Sequence, residues 1–258
     1  SALPVTGANA DMDRLAEFVR INGNRLADIH VTLDSHQVVD IAHPSWWCKK
    51  GETKPVEPFT LITAADIRAG IYEPRDPGQL KRSLAYAEKL EATGKYMLFI
   101  WPEHCLIGTP GHNIQTNLSQ ALYNWERSQY ALVDYVTKGS NPYTEHYGGL
   151  LAEVPDPQDP TTQLNIGLIE TLQKADMILI AGEALSHCVK ETLDQIVDNI
   201  GDEHISKITI LTDATSPVPQ SFDQAGNPTS PNFPAIAEQW LIDIQKRGVQ
   251  VSTTKTFF

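Results

Sequence analysis

The chain has 258 residues, with 32 acidic against 20 basic side chains and a formal net charge of −12. That length accommodates one full α/β domain, and the acidic surplus opposes nucleic-acid binding, because phosphates call for a basic surface. No apolar run nears the roughly 20 residues that cross a bilayer, the opening SALPVTGANADMDR has neither the basic start nor the apolar core of a secretion signal, and Cys48, Cys105 and Cys188 cannot all pair within one chain; a soluble, cytoplasmic protein with no membrane partner is expected.

Asp11 to Ile21 sets Leu15, Phe18 and Val19 on one side behind an acidic first turn, which predicts a helix. Ile29 to Leu33 is a short predicted strand whose carboxyl end delivers Asp34-Ser35-His36. Residues 43–95 read as an insertion. From His43 to about Gly78 it is rich in Pro and Trp and weakly periodic, with a helical turn at Ala64 to Ala69, and Gln79 to Ala92 is helical. Tyr96 to Trp101 is a predicted strand closed by Pro102, and Asn113 to Arg127 a helix. Tyr130 to Val136 is the next predicted strand, ending near Lys138-Gly139. After the turn-rich Pro155 to Pro160 come a helix (Thr162 to Gln173), a strand (Met177 to Ala181) and a helix (Ser186 to Ile200). A strand (Ile208 to Leu211), a helix (Pro234 to Arg247) and a last strand (Val249 to Ser252) close the chain.

Repeated alternation of apolar runs with amphipathic helices predicts a three-layer α/β/α fold around a mostly parallel sheet. Ligands of such sheets bind outside the carboxyl ends of strands. Asp34, His36, Lys138 and Cys188 lie at or just past such ends, and His104 follows the strand before Pro102. Cys188 sits at a strand-to-helix junction, where unpaired helix N–H groups are expected to hold sulfur as thiolate and to receive an oxyanion. Lys138 either faces this rim, where its charge would support the thiolate, or turns outward at Gly139. Asp34 and His36, two apart, can share one face and one divalent metal, with His104 a third ligand; zinc, iron and manganese all suit such a set. Trp101 offers a ring face to a planar substrate or packs in the core, and Trp46 and Trp47 form either a lid or the insertion's own core. His43, His112, His146 and His187 are read as surface or loop hydrogen bonders, Cys48 and Cys105 as small hydrophobes, and Asp213 as a structural cap.

Together these residues resemble the isochorismatase-like cysteine hydrolases and, within them, the nicotinamidases. Leu33-Asp34-Ser35-His36 looks like the metal-binding Asp-x-His of that family, and the run from Trp101 to Gly111, WPEHCLIGTPG, is close to the nicotinamidase signature WPxHCxxGTPG. The resemblance implies that His104 completes the metal site, with zinc the first choice over iron or manganese, and that Trp101 flanks a pyridine ring. It further implies that Lys138 is the catalytic lysine, Cys188 the attacking sulfur, and the Glu183-Ala184 bond a cis peptide whose turn makes the Ala184 and Cys188 amides an oxyanion hole. The implied activity is hydrolysis of a small planar amide, most simply nicotinamide to nicotinate and ammonia through a thioester. Another small amide or carbamoyl substrate, or a non-catalytic binding protein, is the alternative. The 68 residues from His36 to His104 exceed the spacing of compact nicotinamidases. The family opens with a strand carrying the general-base aspartate, ahead of a segment like Ser1-Ala2-Leu3-Pro4-Val5. That strand and acid are therefore expected from upstream residues, surviving as a separate N-terminal peptide in one version, and no residue of this chain is assigned as base. A homo-oligomer is compatible with so acidic a surface through local apolar patches.

Overall fold

The computed structural model describes residues 3–222, 225–228 and 230–257, so Ser1 and Ala2 of the opening segment lie outside the described residues. Helix α1 (Ala8–Asn22) buries Ala16, Phe18 and Val19, the side on which the sequence concentrates its apolar residues. Strand β1 (His30–Asp34) follows. The chain then passes through β2 (Trp47–Lys49), β3 (Leu61–Ile62), α2 (Ala64–Arg68), β4 (Tyr72–Pro74), α3 (Leu80–Ala92) and β5 (Leu98–Phe99). Thr63 and Asp66 form a reciprocal capping box that starts α2. Trp46, Trp47, Ile62, Tyr86 and Leu90 bury one another in a cluster confined largely to residues 41–100. The tryptophan pair is thus the core of this segment, not a cover over the site.

From there helices and strands alternate: α4 (Thr116–Gln129), β6 (Asp134–Lys138), α5 (Ile166–Lys174), β7 (Ile178–Ile180), α6 (Lys190–Asn199), β8 (Ile208–Leu211), α7 (Phe233–Lys246) and β9 (Gln250–Ser252). β1 pairs with β6, and β7 with β8 and β8 with β9, all in parallel. The strand period of two sorts the side chains between layers. Ile178, Ile180, Ile208 and Ile210 pack against α5, α6 and α7, whereas Leu179, Ala181 and Leu211 meet Phe18 of α1. Val31 joins Val19 and Leu122 under α1 and α4. The result is a three-layer α/β/α sandwich with largely parallel strands.

The parallel strands form two pieces, β6-β1 and β7-β8-β9, and among the described residues neither β1 nor β7 has a second strand partner. Both pieces share the same covering layers: Leu15 and Leu26 touch the clusters under β1 and under β8, and Val136 of β6 packs into the cluster that holds Ile178. All four residues of β8 are buried, whereas Thr32 in the middle of β1 is exposed. Each piece therefore keeps an unpaired strand edge within one sandwich, among the described residues.

Three predicted elements move. The Tyr96 to Trp101 strand shrinks to Leu98–Phe99 and pairs antiparallel with β3, outside the parallel sheet, so its apolar character reflects burial in the 41–100 cluster. The Tyr130 to Val136 strand starts later because Tyr130 takes a left-handed conformation, φ 53°, to end α4. The helix predicted from Ser186 opens as a π-turn over Leu185–Val189 before α6.

Candidate active site

Asp34 and Lys138 are register partners at the carboxyl ends of β1 and β6, and pleating sends partners to the same side. Lys138 is 3% exposed. It faces inward, and its Nζ donates to an Asp34 carboxylate oxygen and, at 2.8 Å, to the His146 carbonyl, and lies 3.7 Å from Cys188 Sγ. Burial opposes the ammonium charge, but Asp34 and Cys188 more than offset it and hold Lys138 above the usual lysine range. Burial likewise pushes Asp34 up, yet Lys138, His36 and His104 together hold it below the usual carboxylate range. The pair is ionised on both sides.

Asp34, His36 and His104 each offer a ligand atom, and these atoms lie within 4.8 Å of one another. His36 Nδ1 is 3.2 Å from the Gly139 carbonyl and His104 Nδ1 is 2.8 Å from the Pro102 carbonyl. Each carbonyl holds its ring with Nδ1–H outward and leaves the other nitrogen's lone pair for the cluster. Burial drives His36 down to about 3 and lowers His104 as well. Two neutral imidazoles and one carboxylate are the protonation states a divalent cation requires. This cluster can hold such an ion.

His43, read from sequence as a surface or loop hydrogen bonder, is 1% exposed. Its ring stands edge-on to His36 and His104, with centroids 5.5 and 5.4 Å away, while Nδ1 lies 3.0 Å from the Gln37 carbonyl. Burial takes it down to about 4. The one signal in the sequence was a third histidine seven positions beyond His36; only the turn at 37–43 folds it back. His146 also leaves its surface reading: it is buried, with no hydrogen-bond partner for Nε2 among the described residues.

Cys188 lies in the π-turn that follows Gly182, at φ +124°, and the cis peptide Glu183-Ala184. Here the expectation of a ready thiolate is overturned. Burial pushes the thiol up, Lys138 pulls it down, and Asp34 pushes it up again, leaving Cys188 above the ordinary cysteine value. The Ala184 amide donates to no protein acceptor among the described residues. Trp101 forms the neighbouring wall. Its indole meets Phe99 edge-on at 4.8 Å and His187, the residue before the cysteine, at 5.8 Å. Cys105, at φ +46°, is a half-buried thiol driven by burial to about 11, and Cys48 is buried. Asp213 binds the Thr254 amide and hydroxyl, both at 2.7 Å, a structural cap as expected.

No protein-family model matches the sequence, and no curated protein matches it. Solved structures do. The yeast nicotinamidase bound to the inhibitor nicotinaldehyde superposes with a TM-score of 0.60 at 16% identity, over 98% of this chain and 92% of that one. The pyrazinamidase of Pyrococcus horikoshii in complex with zinc gives 0.55 at 17% identity over 98% and 90%, and a nicotinamidase/pyrazinamidase of Acinetobacter gives 0.56 at 17% over 96% and 87%. The chain has the isochorismatase-like fold of these structures.

Proposed function

We propose that this chain is a metal-assisted cysteine amidohydrolase that splits a small planar amide, most simply nicotinamide, into its acid and ammonia. The observation that carries this reading is one line of contacts: Cys188 Sγ lies 3.7 Å from Lys138 Nζ, and Lys138 binds Asp34 of the Asp34, His36 and His104 ligand cluster.

In this reading the sulfur attacks the carboxamide carbon. A C–S bond forms as the carbonyl π pair moves to oxygen, and the Ala184 and Cys188 amides receive that charge. Lys138, already fully protonated, stabilises the sulfur's charge and takes no proton. Return of the oxygen pair breaks the C–N bond, and the proton given up by the thiol leaves on ammonia. Water then cleaves the thioester, restoring the thiol and releasing the acid. Trp101 stands beside the ring throughout. A divalent ion held by Asp34, His36 and His104 supplies, when bound, a Lewis acid for a ring nitrogen; zinc fits two imidazoles and a carboxylate, as do iron and manganese.

The thiol proton needs an acceptor. Among the described residues Cys188 Sγ has a hydrogen-bond partner only in Lys138. The reading therefore includes an extended segment, separate from the described residues, that pairs with β1 and β7 and brings a carboxylate to the sulfur. The unpartnered strand edges support it. The three free thiols suit a reducing, cytoplasmic setting. A second reading, a binding protein without turnover, is favoured by the raised Cys188 thiol and the acceptor it lacks.

Ammonia release across a short panel of amides and carbamoyl compounds, nicotinamide included, tests both. Release by the native chain together with its loss in Cys188→Ala, with substrate binding kept, is the expected outcome. Turnover that persists in pure Cys188→Ala protein would remove the sulfur from the chemistry, and binding without release by the native chain would leave the second reading standing.

A further inference from the structure

A buried hydrogen-bond chain runs from the 41–100 segment to the wall of the site. Tyr86 of α3 donates its hydroxyl to Glu145 Oε2 at 2.9 Å, and the Glu145 amide donates back to that hydroxyl at 3.0 Å. Tyr147 donates to Glu145 Oε1 at 2.8 Å, and Trp101 Nε1–H donates to the Tyr147 hydroxyl at 2.9 Å. Tyr86 and Glu145 are 4% and 5% exposed, so water does not replace these bonds. An indole N–H only donates, so the Tyr147 hydroxyl accepts from it and has its own proton for Glu145; the Tyr86 hydroxyl accepts an amide and likewise has its proton for Glu145. A carboxylate at position 145 accepts both through its two oxygens. The Tyr147 ring is held from a second side by Tyr96, whose centroid is 4.7 Å away and whose hydroxyl binds Glu191 of α6, the helix that begins just after Cys188.

We infer that Glu145, acting through the Tyr147 hydroxyl, is the positioning residue that fixes the Trp101 indole beside Cys188, and that Tyr86 makes the inserted segment the buttress of this wall. Trp101 is only half-buried. Its Nε1 end is tethered. Glu145 and Tyr147 tie Tyr86 to Trp101, both of the 41–100 cluster, and a buried donor without its acceptor has no cheap alternative. The 43–95 insertion is in this way part of the site's specificity and not a peripheral addition. The inference rests on the reading of Trp101 as the ring wall of an amidohydrolase, but its test does not.

The test is fluorine NMR on the full chain labelled with 5-fluorotryptophan, which carries five tryptophans; Trp101→Phe assigns the Trp101 line. Tyr86→Phe, Tyr147→Phe and Glu145→Gln are expected to shift or broaden that line, while the lines of Trp125 and Trp240, which sit in other clusters, stay in place. If the Trp101 line is unmoved in all three variants, whatever their melting temperatures do, the inference is overturned. A second arm uses nicotinamide: Tyr86→Phe removes one oxygen remote from the sulfur and should raise KM about fivefold with kcat within about twofold, the signature of lost ring binding. A fall in kcat at unchanged KM would overturn the positioning role. Should the native chain release no ammonia, that failure belongs to the amidohydrolase reading, and the fluorine line still decides this one.

Discussion

Gly139 shows how narrowly a single position is constrained. It takes φ +76°, and a Cβ built on it would stand 2.6 Å from Cε1 of His36 and 2.9 Å from Nδ1. Gly139→Ala therefore strains the backbone and also pushes the imidazole that its own carbonyl orients. We expect the variant to lose about 1–3 kcal/mol of stability and to retain far less divalent metal after mild dialysis, as His104→Ala should. Elemental analysis checks this, and full occupancy in both variants would dismantle the ligand assignment. At this scale the sequence was informative where chemistry is written in a motif: Asp34, His36 and His104 converge as their spacing and the WPEHC run suggested. It was misleading where environment decides. The Cys188 thiol is raised because burial in the folded site outweighs the help of Lys138, and no local pattern carries that balance.

Two elements meet behind the turn that carries Cys188. Glu183, at the turn, is held close to Asp11 of α1, and burial first and the neighbouring Asp11 carboxyl second drive Glu183 up to about 8, with the Ser216 amide and Arg14 acting in the opposite sense. The folded chain thus keeps a proton that the unfolded chain gives up near the ordinary value of 4.5. Stability from this pair is complete below the unfolded value, declines as the pH rises beyond it, and is lost as the pH passes through the folded value. Melting curves between about pH 5 and pH 9 should fall more steeply with pH for the native chain than for Glu183→Gln, which carries no titrating proton; parallel curves would refute the raised Glu183. The same scale explains the displaced strand. Tyr96 to Trp101 has the apolar run of a buried strand, and period alone cannot tell a parallel-sheet strand from one buried in a neighbouring cluster. Pairing with β3, a long-range event, decided it.

Across the whole molecule the leading feature is the divided sheet. β1 and β7 point their carboxyl ends at one site, share covering layers and each have one strand partner among the described residues. A synthetic peptide of about six β-branched residues ending in aspartate, added to the purified chain, should raise its melting temperature and its rate of ammonia release, whereas the same peptide ending in asparagine should raise only the former. No change in either with the aspartate peptide would rule out strand addition as the source of the proton acceptor. The net charge of −12 argues against polyanion binding at this scale as it did at the start. By itself the sequence determined the layered α/β/α alternation, the rim that gathers Asp34, His36, Lys138 and Cys188, and the motif that adds His104, because periodicity and strand-end placement are local properties that survive in any compact arrangement. Only the tertiary structure decided that His43 joins the histidine cluster, that Tyr86 reaches Trp101 through Glu145, and that the parallel strands form two pieces, β6-β1 and β7-β8-β9. Each of these depends on which distant segments come to share a low-dielectric interior, and burial, not sequence neighbourhood, sets both their charges and their partners.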